Sequence, residues 1–331
     1  QHWNIENSYL ELPFKFYSKQ LPEKVTNPKK LYFNSKLALE LGLEFLSTSE
    51  ILDYFSGNKV PKGSISIAQA YAGHQFGHFT MLGDGRAILL GEQITPENIR
   101  YDIQLKGSGK TAYSRGGDGR ATLSSVLREY LISEAMHHLG IPTSRSLAVI
   151  NTGEKVYRNQ VYDGGVLTRV SSSHIRFGTF EFIRNFCSKK DLEIFVKYVI
   201  DRHYPQISDA DNPAIELFGL VMKKQIDLIV NWMRVGFIHG VMNTDNMSIF
   251  GETIDYGPCA FMNIYNPATV FSSIDKNGRY SFGNQPKIVH WNLVAFANAL
   301  LPIISKNENK SVELIKEKLS SFSSLFSNSW Y

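Results

Sequence analysis

The segment His239-Gly240-Val241-Met242-Asn243-Thr244-Asp245-Asn246 follows a long stretch of helical periodicity, and Asp255-Tyr256-Gly257 comes nine residues later. Asn246 and Asp255 offer an amide oxygen and a carboxylate. Mg²⁺ prefers hard oxygen ligands, keeps several waters and is often completed by substrate phosphates, so two such side chains suffice. Asp245 adds a carboxylate with no metal role of its own. Far upstream, Gly83-Asp84-Gly85-Arg86 could bring backbone amides close to phosphates, because glycine places no Cβ in the way. Lys106 and Glu129 complete the set, a cation and a carboxylate able to pair over those phosphates. The chemistry indicated is transfer of a phosphorus-containing group from ATP with Mg²⁺, Mn²⁺ being the alternative metal.

Protein kinases assemble this chemistry from a glycine-rich turn, a strand lysine paired with a helix glutamate, and H-R-D-x-x-x-x-N followed by D-F-G. Aligning the histidines puts Asn246 and Asp255 on the metal-binding positions. Val241 then stands where a kinase has its catalytic aspartate, and valine cannot accept the proton of an attacking hydroxyl. Taken singly, each element is ordinary. A G-x-G is often a hairpin turn, a strand-end lysine often lies on a wet rim, and Glu134 rivals Glu129 on the same helix. A second phosphate motif is a decoy: Lys106-Gly107-Ser108-Gly109-Lys110-Thr111 has Gln104 where a phosphate loop needs glycine, and loop residues follow instead of a helix.

These residues need elements to hold them. Residues 1–60 read as an N-terminal extension with one short helix, Ser35–Leu41, capped by Asn34 and stopped at Gly42. Residues 61–180 read as a β-rich lobe. It has strands over Ala87–Ile94 and Tyr101–Lys106, then a helix over Thr122–Leu139 with Leu123, Val126, Leu127, Tyr130 and Leu131 on one face. Two strands, around Leu147–Tyr157 and Gly165–Val170, flank a turn at Asp163-Gly164-Gly165. Residues 181–331 read as helical, with a long helix over Ala214–Val235, another beginning at Asn292, and a frayed Ser-rich tail. The expected class is α+β: a two-lobed, protein-kinase-like fold with a β-rich N-lobe carrying one key helix and a mainly helical C-lobe.

Composition sets the outer limits. The chain has 331 residues, 43% hydrophobic and 20% charged, with a net charge of +4, which fits an ordinary globular core. No clustered basic reading module stands out, so nucleic-acid binding is not expected. Cys187 and Cys259 are far apart with no metal-ligand spacing, which argues for a reducing compartment. The apolar stretch Leu293–Ile304 is too short for a membrane span and no signal peptide is visible, so a cytoplasmic location is expected.

Tyr71-Ala72-Gly73-His74-Gln75-Phe76-Gly77, Gln104-Leu105-Lys106-Gly107-Ser108-Gly109, Tyr113-Ser114-Arg115-Gly116-Gly117-Asp118-Gly119-Arg120 and Asp255-Tyr256-Gly257-Pro258-Cys259 resemble the selenoprotein O family over about residues 60–300. The resemblance implies a pseudokinase that moves AMP from ATP to Ser, Thr or Tyr hydroxyls of protein substrates, holding ATP reversed relative to a kinase. It implies that Gly83, Gly85, Arg86, Asp118 and Gly119 line the nucleotide, and that Lys106, held by Glu129, binds its phosphates together with Arg169 and Arg176. Asp245 would be the general base, and Asn246 and Asp255 the Mg²⁺ ligands.

The residues lend this reversal support. Arg169 and Arg176 flank Val170-Ser171-Ser172-Ser173-His174-Ile175, where lobe order would put an adenine; guanidinium groups suit triphosphate oxygens better than an apolar base pocket. The family further implies a longer chain with a C-terminal Cys or selenocysteine and a redox link to Cys259, and a mitochondrial location in eukaryotes. Two readings stay open beside AMP transfer: a kinase-like phosphotransferase, and an inactive ATP-binding scaffold. Oligomeric state and substrate identity are not legible.

Overall fold

The computed structural model describes residues 2–331. Strands β1 (Ile5–Glu6), β2 (Tyr17–Lys19) and β3 (Lys29–Phe33) precede helices α1 (Ser35–Leu41) and α2 (Thr48–Ser56). Next come β4 (Ile67–Gln69), β5 (Ala72–Gln75), β6 (His78–Met81), β7 (Ala87–Ile94), β8 (Arg100–Lys106) and β9 (Ala121–Thr122). Helix α3 (Leu123–His138) leads to the long strands β10 (Arg145–Tyr157) and β11 (Val161–Ser171). Then follow α4 (Phe177–Phe186), α5 (Lys189–His203), α6 (Pro213–Arg234), the short pair β12 (Phe237–Ile238) and β13 (Ala260–Phe261), α7 (Gln285–Ile304), α8 (Glu308–Ser320) and α9 (Phe322–Trp330).

The chain forms two compact units, and the class is α+β. One unit holds the residues up to Ala70 together with Leu82–His174; the other holds Tyr71–Met81 with Ile175–Tyr331. The first is built on a nine-stranded antiparallel sheet in the order β2-β4-β7-β8-β11-β10-β3, with β1 on β7 and β9 on β11. Its core joins Leu90, Ile103 and Leu105 of the central strands to Leu37, Leu41, Ile51 and Phe55 of α1 and α2. Residues 1–60 are therefore not an extension. They supply three strands and two packed helices, because their short apolar repeats bury against the sheet.

Three other expectations change. Asp163-Gly164-Gly165 lies inside β11, and the hairpin turns at residues 158–160. A Cβ on Gly165 would crowd Val126 and Leu123, so the glycine marks where α3 packs closest on the sheet. On α3 itself, Leu123, Val126, Leu127 and Tyr130 pack in the cluster with Val149 and Leu167 of the sheet as expected, whereas Leu131 is exposed and Glu129, Ser133 and Met136 are also buried. The hairpin β5–β6 (His74 opposite Phe79) belongs with the helical unit, as do residues 175–180, so that unit begins before residue 181 and takes a segment from within 61–180.

In the helical unit, Phe296 of α7 packs on Phe177 and Phe180 of α4, with ring centroids 4.7 and 4.9 Å apart. The segment Phe282–Ile304 is long and apolar enough to cross a membrane, more than the stretch the sequence suggested. Ile288, Leu293, Phe296 and Leu300 are buried, however, and α7 is the central helix of this unit. The Ser-rich tail is not frayed but helical: α9 is held by Arg234, which donates to the carbonyls of Ser329 and Trp330.

Gly178, in the first turn of α4, tests this packing. Alanine normally favours a helix over glycine by about 1 kcal/mol. Here a Cβ would overlap the carbonyl oxygen of Ala72 on β5 and press on Asp245. Gly178→Ala is therefore expected to lower the melting temperature by several degrees. A rise would contradict the packing.

Candidate active site

In the sheet unit, the ends of two adjacent strands and one helix converge. Lys106 closes β8 and Arg169 lies on β11, whose register pairs Leu167 with Lys106 and Arg169 with Gln104. Glu129 sits in the buried face of α3. Its carboxylate accepts from Nζ of Lys106 at 2.6 Å and from Nε of Arg169 at 2.6 Å. Arg169 also donates to Oε1 of Gln104 at 3.3 Å. All are buried. One carboxylate thus fixes two cations from neighbouring strands, a geometry that would present both to phosphate oxygens without freezing flexible side chains on binding. Glu134, the rival on the same helix, is committed elsewhere: it takes Nε and Nη2 of Arg145 at 2.9 and 3.0 Å and the amide of Ser146 at 3.0 Å.

The glycine turn is less open than its sequence suggests. A Cβ on Gly83 would run into the Tyr113 ring, and one on Gly85 into the Tyr113 carbonyl. Thr111 Oγ1 donates to the carbonyl of Asp84 at 2.6 Å, and Ser114 Oγ to that of Gly85 at 2.5 Å. The loop after Lys106 therefore packs on the turn. Asp84 is buried and accepts from the amide of Gln69 at 2.9 Å, a structural role that its position between two glycines did not reveal. Arg86 is exposed, and its carbonyl accepts from the amide of Gly107 at 2.7 Å.

Asp118 and Gly119 have partners of their own. Asp118 receives both Nη atoms of Arg158, at 2.7 and 2.9 Å, and this pairing lowers its pKa to about 2. Gly119 has a φ of +66°, and a Cβ there would overlap the backbone of Gly109, so only glycine fits. No helix follows Lys110-Thr111, in keeping with a decoy phosphate motif.

In the helical unit, Arg176 immediately precedes α4. Its Nη1 donates to the carbonyl of Asp245 and to Oδ2 of Asp255, both at 2.8 Å, and its guanidinium lies 4.5 Å from the Tyr71 ring centroid. Asp255 has a φ of +57°, a left-handed conformation that, apart from glycine, asparagine and aspartate adopt most readily. Asn246 Nδ2 donates to the carbonyl of Val241 at 2.8 Å. His239 organises the loop: Nε2 bonds the carbonyl of Ile254 at 2.8 Å and the ring stacks on Trp232.

Asp245 is the outlier. It is 7% exposed, its Oδ1 has no hydrogen-bond partner, and a Cβ on Gly73 would collide with it. Burial raises its pKa to about 7, aided by the charges of Asp255 and Glu181 and opposed by Arg176. Asn246 and Asp255 could offer Mg²⁺ the hard oxygen donors it prefers. Among the described residues no group of three or more His, Cys, Asp or Glu gathers as a metal site. The structure thus joins Lys106, Glu129 and Arg169 in one unit, and Arg176, Asp245 and Asp255 in the other. It gives Asp118 to an ion pair and leaves Arg86 in solvent. Gln104, Asp84 and Tyr71 were missed as individuals, although Gln104 and Tyr71 stand in segments that carried the resemblance.

The family model described as protein adenylyltransferase SelO matches residues 2–331. The chain belongs to the SelO family. The protein nucleotidyltransferase YdiU of Brevibacillus brevis is 58% identical over 330 residues, covering 99% of this chain and 67% of that protein. The YdiU proteins of Anoxybacillus flavithermus (56% over 331 residues) and Pelagibacter ubique (55% over 330) are similar, with 69% and 68% of their lengths covered. Among solved structures, ROP2 from Toxoplasma gondii, a virulence factor with a protein-kinase fold and no enzymatic activity, aligns at 10% identity. It covers 79% of this chain and 87% of that one at a TM-score of 0.35, too slight a likeness to argue from.

The raised pKa makes a sign-definite expectation. A carboxyl whose folded pKa exceeds its unfolded value of 3.8 contributes stability that is full below 3.8 and lost as pH rises through about 7. Asp245→Asn mimics the protonated form. It should be more stable than the wild type at pH 8, on the order of a few kcal/mol, and the gap should narrow at pH 5. Equal melting temperatures at pH 8 would show that the carboxylate is not desolvated. Conversely, Glu129→Gln leaves two buried cations without their shared countercharge. It should cost about 3 kcal/mol in denaturant unfolding, whereas Asp118→Asn, at a half-exposed pair, should cost under about 1 kcal/mol.

Proposed function

We propose that this member of the SelO family transfers AMP from ATP to hydroxyl groups of protein substrates and releases pyrophosphate. The observation that carries the reading is Asp245: a buried carboxylate with one oxygen unpartnered, seated beside the Arg176–Asp255 ion pair and Asn246. Val241 cannot act as base, so Asp245 takes the hydroxyl proton as the oxygen forms its bond to the α-phosphorus. The α-phosphorus to bridging-oxygen bond breaks, and the electron pair leaves with pyrophosphate. A carboxylate whose proton affinity sits near neutrality suits that task, since a sizeable share is ionised near neutral pH and that share is basic enough to accept a proton.

Asn246 and Asp255 would hold Mg²⁺, which neutralises phosphate charge when bound. Lys106 and Arg169, preset by Glu129, offer donors to phosphate oxygens in the sheet unit, and Arg176 does so in the helical unit. Gly83, Gly85, Arg86, Asp118 and Gly119 are the remaining nucleotide contacts of this reading. Serine, threonine and tyrosine are the acceptors it admits, and the cytoplasm is its compartment. In this scheme catalysis is positioning and electrostatics, the usual source of rate in phosphorus transfer.

Pyrophosphate release and protein modification, measured together, test the scheme. The wild type should release one pyrophosphate per modified hydroxyl. Asp245→Ala should lose about 10²–10⁴-fold in rate while keeping most of its ATP affinity. Asp255→Ala should weaken Mg²⁺-dependent nucleotide binding as well. Full activity in Asp245→Ala would remove the base from the account.

A further inference from the structure

A cavity of about 380 Å³ opens in the helical unit between β5, α4 and α7. Its lining includes His74, Glu181, Arg184, Asn185, Trp291 and Asn298. Glu181 is 3% exposed, one carboxylate oxygen bonds Nδ1 of His74, and the other, Oε2, has no partner. A buried carboxylate oxygen without a donor costs more than any single satisfied bond returns, so a fold that keeps one leaves a donor to be supplied from outside. Asn185 Nδ2 is spent on the carbonyl of Glu181 at 2.7 Å, and Arg184 lies at the exposed rim. Neither Asn185 nor Arg184 thus donates to the unpartnered Glu181 oxygen.

The cavity also adjoins Asp245 along two elements. On β5, Gly73 rests against Asp245, and the next residue, His74, lines the cavity while its amide donates to Thr244 Oγ1 at 2.7 Å. On α4, Gly178 lies against the Asp245 backbone, and Glu181 comes three residues later on the same face. One helical turn is about 5.4 Å, a span that one to three residues of extended peptide cover at about 3.3 Å each.

We infer that this cavity is a recognition subsite for the protein substrate, taking a lysine or arginine side chain that flanks the acceptor hydroxyl, with Glu181 as the residue that selects it. The inference rests on the protein-modifying reading above. Its chemistry is a charge-assisted hydrogen bond from the ammonium or guanidinium to Glu181, with the aliphatic stem along the apolar wall of Val294 and Ala295, since Arg279 already lies over the Trp291 ring.

The test measures binding without ATP, so it can fail or succeed independently of AMP transfer. Fluorescently labelled peptides would carry one central serine and either lysine or norleucine at each of the three positions on either side, and anisotropy would read their affinity. At one of these positions at least, the lysine peptide should bind the protein about tenfold more tightly than its norleucine twin. Glu181→Gln should erase that preference, with a melting curve confirming that the variant folds. Arg184→Glu, an exposed rim substitution, should increase it. Equal binding of all pairs by the wild type, or a preference surviving in Glu181→Gln, would overturn the assignment. If the preferred peptide, incubated separately with Mg²⁺ and ATP labelled at its α-phosphate, gains no label, that counts against the AMP-transfer reading alone.

Discussion

Asp245 is the constraint around which the helical unit is arranged. A carboxylate with an oxygen left unbonded in a protein interior is unfavourable, and the surroundings fix it there. Gly73 and Gly178 are glycine because a Cβ on either would strike Asp245 or the strand beside it. Thr244, next to it, ties the loop to β5, and Arg176 clamps its carbonyl to the Asp255 carboxylate. His239 and Asn246 hold the loop on either side by bonds to the carbonyls of Ile254 and Val241.

The sheet unit solves a matching problem with an opposite device. There the charged groups are paired before any ligand arrives: Glu129 holds Lys106 and Arg169 at 2.6 Å each, inside a wall of strand and helix. Preset cations lose little side-chain freedom on meeting an anion, which is how a binding site gains affinity without gaining contacts. One unit thus carries paired, buried positive charge and the other a buried carboxylate with raised proton affinity.

Much of this was legible in the residues. The helices over 123–138 and 213–234 stood out because their long runs of apolar residues at helical spacing leave little choice, although their caps, Thr122 and Asn212, were not read from the sequence. The pairing of Lys106 with a glutamate was legible as a need, whereas periodicity alone could not choose Glu129 over Glu134; only Arg145, arriving from β10, decides it. The first sixty residues were misjudged because their strands are short and their partners are distant: β1 pairs with β7, and β2 with β4. The β5–β6 hairpin joins the helical unit through bonds to residues about 170 positions away, and no local pattern encodes that. Glu181 was invisible as a functional candidate, since a lone glutamate on an apolar helix reads as ordinary until its partner His74 is seen.

The central claim is that the bond broken lies at the α-phosphorus. ATP labelled separately at its α and γ phosphates, incubated with the protein, Mg²⁺ and an acceptor protein, reads this directly. The account predicts that label enters protein from the α position and none from the γ position. Label arriving from the γ position alone would make the chain a phosphotransferase and contradict it.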